Sequence, residues 1–314
     1  MKIAVVDHVY LEKEHVEKLQ KLGVLEVFKD PPKTAEELQE RIDAADIVIV
    51  GWSDLTGSII DSAKNLRMIS IWATTCHYAD LETAKKRGIV VTHVPGYAME
   101  AVAEHTFALL LSAVRKLILA DKHVRSGGFD WRPFIGRELA GKTLGVVGTG
   151  SIGFRVAEIA RALGMRLLGF DKYPNVKRAG EVELRYVDLY TLLRESDVVS
   201  LHVTLTSESE RLIGRKEIDA MKEGVVLVNT SQGKIVDEEA LVEALRSGKI
   251  SCAGLDVFAL EPPVKDSPLF KLDNVVLSPH IGFNTVEAAK RCTEICIDNI
   301  EKFLEGRPQN VCAE

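Results

Sequence analysis

The sequence predicts an α/β protein with two domains, each built on a parallel sheet. Three observations carry this. The chain has 314 residues, too long for one typical core and suited to two. Short β-rich runs alternate with helical patterns in two successive series, which is the pattern of βαβ units. Several of the runs are almost wholly apolar, as expected when helices cover both faces of a sheet.

The first series comprises KIAVVD (2–7), LEVFK (25–29), DIVIVG (46–51), MISIWA (68–73) and IVVTHV (89–94). Helices fall between them. One is TAEELQERIDAA, where Thr34 is placed to cap and Glu36 and Glu37 suit the positive N-terminal end. The second series comprises TLGVVG, RLLGFD (166–171), DVVSLHV (197–203), VVLVNT (225–230), CAGLDVF (252–258) and NVVLSPH (274–280). A helix over 236–248 is bounded by Asp237 as cap and Gly248 as stop, and a final helix runs from about Thr285 to Leu304. No short repeat and no low-complexity linker is present.

Composition narrows the function classes. Apolar residues make up 46% and charged residues 27%, and the net charge is −6. Acids and bases are interleaved, so neither a nucleic-acid footprint nor a polybasic membrane patch is visible. MKIAVVDHVY has no signal-peptide core, because its apolar run stops at Asp7. The apolar region 101–120 carries Glu104, His105, Arg115 and Lys116 and reads as a buried or interface helix, not a membrane span. The five cysteines are scattered, and Cys292 and Cys296 lack further ligands nearby. No metal site is expected, and the thiols are expected to be reduced, in a cytoplasmic protein. The abundance of Glu, Lys and Arg over Gln hints at a thermophilic source. His8, His15, His105 and His123 carry no functional signal.

The most informative stretch is KTLGVVGTGSIGFRVAEIARALGMRLLGFD. Gly148, Gly150 and Gly153 form G-x-G-x-x-G between a strand and a helix, and the next strand ends in Asp171. Gly148 permits the tight turn, Gly150 lets a pyrophosphate approach the backbone, and Gly153 packs helix on strand. The helix N-terminus adds amide donors. Asp171 can accept from a ribose diol and would repel a 2′-phosphate, so NAD is expected over NADP, with Lys172 beside it weakening the preference.

Three later segments end strands on one sheet edge: NTSQG (229–233), GLDVFALEPP (254–263) and SPHIG (278–282). Ligands bind outside the carboxyl ends of such strands. Glu261 and His280 are candidates for an acid/base pair, since a carboxylate fixes an imidazole's tautomer and raises its pKa.

With these segments in view, the chain resembles the D-isomer-specific 2-hydroxyacid dehydrogenase family over nearly its whole length. The resemblance rests on VPGYAMEAVAEHTFALLL (94–111), GTGSIG, SDVVSLHVTLTSES (196–209), VLVNTSQGKIVDEEAL, GLDVFALEPP and SPHIGFNT. It implies a Rossmann NAD-binding domain over 99–285 and a flavodoxin-like substrate domain from 1–98 plus 286–314, with the active site in the cleft between. It also implies a homodimer built through the NAD-binding domain, around the 98–119 helix and Trp131. The reaction implied is hydride transfer between NAD(H) and a 2-oxo or D-2-hydroxy acid. His280 would give the proton and Glu261 would orient it. The cofactor residues implied are Gly148, Gly150, Ser151, Ile152, Gly153 and Asp171, with Thr204, Thr230, Ser231, Asp256 and Gly282 from later strand ends.

Two departures from the family pattern stand out. The family's carboxylate-clamping arginine is replaced by Gln232. Charged hydrogen bonds are worth roughly 1.5–3 kcal/mol against roughly 0.5–1.5 for neutral ones, so the change implies a loss of about tenfold to a thousandfold on an ordinary 2-oxo acid. Lys234 is common in the family beside the arginine and is no substitute. The substrate loop reads ATTCHYAD (73–80) in place of the usual glycine-rich pattern. Thr74 and Thr75 stand at the amide-donating positions, and His77 replaces an acidic residue. His93 and Thr204 replace the usual asparagine and proline. Together these suggest a rebuilt pocket, with Thr74, Thr75 or His77 supplying polarity. The alternative is a non-catalytic NAD(H)-binding sensor or corepressor-like module; oxidation of a phosphorus oxyacid is a third reading.

Overall fold

The computed structural model describes residues 1–312. The chain divides into two compact units. Met1–Ala98 and the chain from Asn284 onward form the first; Met99–Phe283 form the second. The first holds β1 (Lys2–Val5), α1 (Lys13–Leu22), β2 (Val24–Val27), α2 (Ala35–Ile42), β3 (Ile47–Val50), α3 (Gly57–Ser62), β4 (Met68–Ile71), α4 (Leu81–Lys86) and β5 (Val90–Thr92). The second opens with α5 (Met99–Val114) and α6 (Leu117–Arg125). It continues through β6 (Thr143–Val147), α7 (Ser151–Ala162), β7 (Arg166–Phe170), α8 (Val176–Glu181), β8 (Leu184–Tyr186), α9 (Leu189–Glu195) and β9 (Val198–Leu201). It closes with α10 (Arg215–Ala220), β10 (Val225–Asn229), α11 (Glu238–Ser247), β11 (Ile250–Leu255) and β12 (Val275–Leu277). The chain then re-enters the first unit as α12 (Val286–Leu304). No described helix is long and apolar enough to cross a membrane.

In the first unit the strand order is β2-β1-β3-β4-β5, all parallel. This is the flavodoxin-like doubly wound order. β3 and β4 are buried at every residue, which explains their unbroken apolar sequence. Thr34 caps α2, its hydroxyl accepting from Glu37 N at 3.2 Å. α12 is tied to this sheet by polar contacts: Trp72 Nε1 donates to Thr293 Oγ1 at 2.9 Å, and Asn299 Nδ2 donates to His93 O at 3.0 Å.

The expectation of five reduced thiols fails in this unit. Cys76 and Cys312 form a disulfide, with Cα atoms 6.1 Å apart and a sequence separation of 236. Backbone pairing brings them together. Val311 bridges Thr92 in antiparallel fashion, and Cys312 N donates to Val91 O at 2.8 Å. The tail thereby lies beside the loop that follows β4. Cys252, Cys292 and Cys296 are free.

In the second unit seven parallel strands run in the order β12-β11-β10-β9-β6-β7-β8. This is the Rossmann order with one extra strand, and its switch point falls between β6 and β9. Both faces are covered. Leu227 of β10 and Val199 of β9 join one core with Leu241 and Ile235; their neighbours Val228 and Val198 join the other with Phe107 and Phe154. The period of two along a doubly covered strand turns into a continuous apolar run. β8 escapes the sequence reading because it is a three-residue edge strand with only Leu184 buried. The helix read over 98–119 ends at Val114, and Lys116 takes a left-handed turn at φ 53°. α6 follows and buries none of its residues. Its apolar side chains continue the composition of α5 on a surface, which composition alone does not separate from a core.

Candidate active site

The carboxyl edge of the second sheet gathers the chemistry. At the end of β6, Gly148 has φ 89°, and a Cβ there would lie 2.6 Å from the His202 carbonyl. A Cβ on Gly153 would lie 2.0 Å from Gly148 O, so helix and loop pack at backbone distance. Gly150 has nothing within 4 Å of its Cβ position and stands as the N-cap of α7 without a side-chain cap. The approach to the first amides of α7 is open, with exposed Ser151 and half-buried Ile152 flanking it. These residues fit a dinucleotide pyrophosphate.

Asp171 stands at the end of β7. Its Oδ2 accepts from Thr149 N at 2.6 Å and Thr149 Oγ1 at 3.1 Å, and its Oδ1 accepts from Tyr173 N at 2.8 Å. The adjacent Lys172 pairs with Glu208 at 2.6 Å. The acidic strand end thus keeps its sign, which fits a ribose diol better than a phosphate.

After β10, the turn bearing Gln232 is knitted by buried Asn229. Asn229 Oδ1 accepts from Ser231 N at 3.0 Å and Ser231 Oγ at 2.9 Å, while its Nδ2 donates to Gln232 O at 2.9 Å. Thr106 Oγ1 donates to Val102 O, so the hydroxyl of Thr230, 2.8 Å away, donates to Thr106. A Cβ on Gly233 would lie 2.0 Å from the Phe258 carbonyl group. Only glycine lets this turn rest on the loop that carries Glu261. Glu238 Oε2 adds a hydrogen bond from Ala259 N at 3.3 Å. The half-buried Gln232 side-chain amide has no hydrogen-bond partner among the described residues. Thr204 is exposed, its carbonyl accepting from Ser209 Oγ at 2.7 Å.

His280 and Glu261 meet. His280 Nδ1 lies 2.7 Å from Glu261 Oε2, and Glu261 Oε1 accepts from Phe258 N at 3.0 Å. The bond to Glu261 raises the His280 pKa above its ordinary value, against the opposing effect of burial. Burial pushes the Glu261 carboxyl upward, but the bonds from His280 and Phe258 outweigh it and hold the group below the usual range. With Nδ1 engaged, Nε2 is the nitrogen available for chemistry. An apolar pocket of about 350 Å³, lined in part by Phe258, Pro262, Phe270 and Leu277, opens beside the pair.

Asp256, at the end of β11, is 1% exposed. Its Oδ1 accepts from Ser278 Oγ at 2.5 Å and Ile281 N at 2.9 Å; its Oδ2 accepts from Gly282 N at 2.7 Å. His105 Nε2 lies 2.9 Å from Ser278 Oγ and 3.3 Å from Asp256 Oδ1. Burial raises the Asp256 pKa, yet these hydrogen bonds together leave it lowered. His105 and Ser278 had no signal in the sequence, because their partners come from distant strand ends.

In the first unit, Thr74, Thr75 and His77 are exposed on the loop after β4. The His77 ring stacks on Tyr78, with centroids 4.1 Å apart. His93 Nδ1 donates to Thr74 O at 2.7 Å, so the residue in the family's asparagine position pins this loop.

A dinucleotide cradle on the same sheet edge as a proton-ready imidazole puts the chain among the nicotinamide-dependent oxidoreductases. Known proteins narrow the class. The profile described as "D-isomer specific 2-hydroxyacid dehydrogenase, NAD binding domain" matches residues 107–282, and the chain belongs to that family. It is 40% identical to the glyoxylate reductase of Thermococcus litoralis, over 94% of this chain and 92% of that protein. It is 39% identical to the D-3-phosphoglycerate dehydrogenase of Archaeoglobus fulgidus over 98% of this chain, but spans only 58% of that protein's length. The structure of an acyclic imino acid reductase, Bsp5, in complex with NADPH and D-Arg, superposes with a TM-score of 0.89 at 36% identity over the whole of both chains.

Proposed function

We propose that this protein interconverts a 2-oxo acid and a D-2-hydroxy acid, with His280 as proton donor and acceptor. The 2.7 Å contact between His280 Nδ1 and Glu261 carries the reading. Bound NADH supplies the hydride. In reduction, the His280 imidazolium donates from Nε2 to the substrate oxygen, and Glu261 stabilises the imidazolium and holds the ring. Gln232 offers the substrate a neutral amide. The first unit serves as the substrate domain, where Thr74, Thr75 and His77 and the loop amides receive the carboxylate. The second unit is the NAD-binding domain, using the eleven cofactor residues named from the sequence.

Exposed apolar residues support a homodimer through this second unit: Phe129 is 98% exposed, Trp131 77% and Ile135 71%. A cytoplasmic location is compatible with the disulfide in a hyperthermophile, where intracellular disulfides persist.

Gln232 favours a second reading, in which the acceptor is the C=N bond of an imino acid formed from a 2-oxo acid and an amine. An iminium carbon carries positive charge, which an arginine at this turn would repel. Hydride addition to the iminium gives the amine, which then takes a proton.

The test is NADH oxidation by the purified protein on a panel of 2-oxo acids from glyoxylate to bulkier members, each with and without ammonia or a primary amine. Turnover without amine supports the oxo-acid reading, and turnover that requires amine supports the imino-acid reading. Tight NADH binding with a silent panel would overturn both in favour of a sensor.

A further inference from the structure

We propose that His105 is a positioning residue for proton transfer: it locks the hydrogen-bond clamp that holds the turn carrying His280. This rests on the reading that His280 moves the proton.

His280 follows β12 in the left-handed region, at φ 54°. A residue with a Cβ is uncommon there, and held in place it needs restraints from its surroundings. The structure supplies restraints from one residue, Asp256. Its backbone carbonyl accepts from His280 N at 2.8 Å. Its carboxylate grips both sides of the turn, taking Ser278 Oγ before His280 and the amides of Ile281 and Gly282 after it. A carboxylate so gripped is ionised and only accepts, so the Ser278 hydroxyl donates to it. The remaining lone pairs on Ser278 Oγ then need a donor, and His105 Nε2 is the atom in reach, at 2.9 Å.

The tautomer of His105 follows. Its Nε2 must carry the proton, because a bare Nε2 lone pair would face both a hydroxyl lone pair and a carboxylate oxygen 3.3 Å away. His105, on α5, therefore fixes the direction of a chain of hydrogen bonds that ends at the His280 turn. Position 282 fits the same purpose. A Cβ there would meet Asp256 Oδ2 at 3.0 Å and His105 Cδ2 at 3.5 Å, so glycine leaves room for both groups to close on the turn. The clamp acts on His280 through geometry. A loosened turn lets Nδ1 leave Glu261, and the imidazole loses the bond that raises its pKa.

The test uses the full chain with His105→Leu, His105→Gln, Ser278→Ala and His280→Asn beside the wild type. His105→Leu is expected to lower kcat about ten- to hundredfold, as a small misplacement of a reacting group does. KM for the oxo acid should change little, and the high-pH limb of kcat/KM should move to lower pH. His105→Gln keeps a donor at the Nε2 position and should restore most of the rate. Ser278→Ala, which leaves the packing of His105 intact, should reproduce the loss. NMR titration of the His280 ring gives the same answer without turnover, and its pKa should fall in His105→Leu and Ser278→Ala.

An unchanged His280 titration and pH limb in both of those variants would overturn the proposal. So would a glutamine variant as impaired as the leucine one. If His280→Asn still turns over, the proton-transfer reading is what has failed, and the titration alone then decides whether the clamp holds the turn.

Discussion

The His280 turn and the loop over 73–80 are both strand-end segments of parallel sheets, yet they are built in opposite ways. Around His280, hydrogen bonds converge from β11, β12 and α5, and the central carboxylate is buried. The 73–80 loop keeps Thr74, Thr75 and His77 exposed, and its ties run through backbone and a covalent link: the bridge of Ala79 to Leu55, Val94 N to Ala73 O, the His93 bond to Thr74 O and the Cys76–Cys312 disulfide. On the reading proposed above, proton transfer needs one geometry, and the contacts of Asp256 and Glu261 at the first segment restrain it. On the same reading the second segment meets the substrate, and its exposed Thr74, Thr75 and His77 can be replaced without leaving a buried group unpaired. Four departures from the family pattern, Thr74, Thr75, His77 and Gln232, accordingly fall on side chains without a hydrogen bond among the described residues, whereas His93 pins the loop.

The strongest way to break this comparison is His280→Ala. It should lower kcat by about 10²–10⁴-fold, the usual worth of a general acid, while NADH binding measured by fluorescence stays near the wild-type value. A fall of less than tenfold would mean the ordered segment is not where the chemistry lies. Gln232→Arg tests the replaceable class. It should shift the ratio of oxo-acid to imino-acid kcat/KM by about tenfold or more, by the difference between charged and neutral hydrogen bonds. An unchanged ratio would remove Gln232 from substrate contact.

Glu261→Gln sharpens the comparison through pH. The His280 pKa is raised chiefly by its bond to Glu261. Its protonated form, needed for reduction, is present below that raised pKa and lost as pH rises through it. Removing the carboxylate should move the high-pH limb of kcat/KM to lower pH, and a pH series of initial rates reads this directly. The smallest effect belongs to the loop. Ordering one residue costs about 1 kcal/mol, so Cys76→Ser should raise KM about fivefold with kcat nearly unchanged. A large fall in kcat instead would show the loop to be as preorganised as the His280 turn.

The same contrast decides what was legible in the sequence. The cradle at 148–153 is legible because backbone approach excludes a side chain at Gly148 and Gly153, and the three glycines fall at fixed spacing along one strand-turn-helix. Glu261 and His280 are legible as strand-end residues, and their pairing agrees with what the family resemblance implies. His105 is not legible: it meets Ser278 across 173 residues, from inside a helix whose apolar pattern explains itself. The Cys76–Cys312 pair is hidden for a related reason. It depends on a single antiparallel bridge between Thr92 and Val311, too short to leave a strand pattern in the tail. β8 and the break at Lys116 are lost where burial, and not composition, separates edge from core.

The disulfide has a further consequence for the molecule as a length of covalent chain. Both crossings between the two units, at 98–99 and 283–284, lie between Cys76 and Cys312. The entire second unit is therefore an arc of a closed ring, and one peptide bond cut anywhere in that arc opens the ring without dividing the molecule. A protein nicked in an exposed segment such as 127–131 would run as a single species on a denaturing gel and separate into two pieces only when a thiol reductant is added.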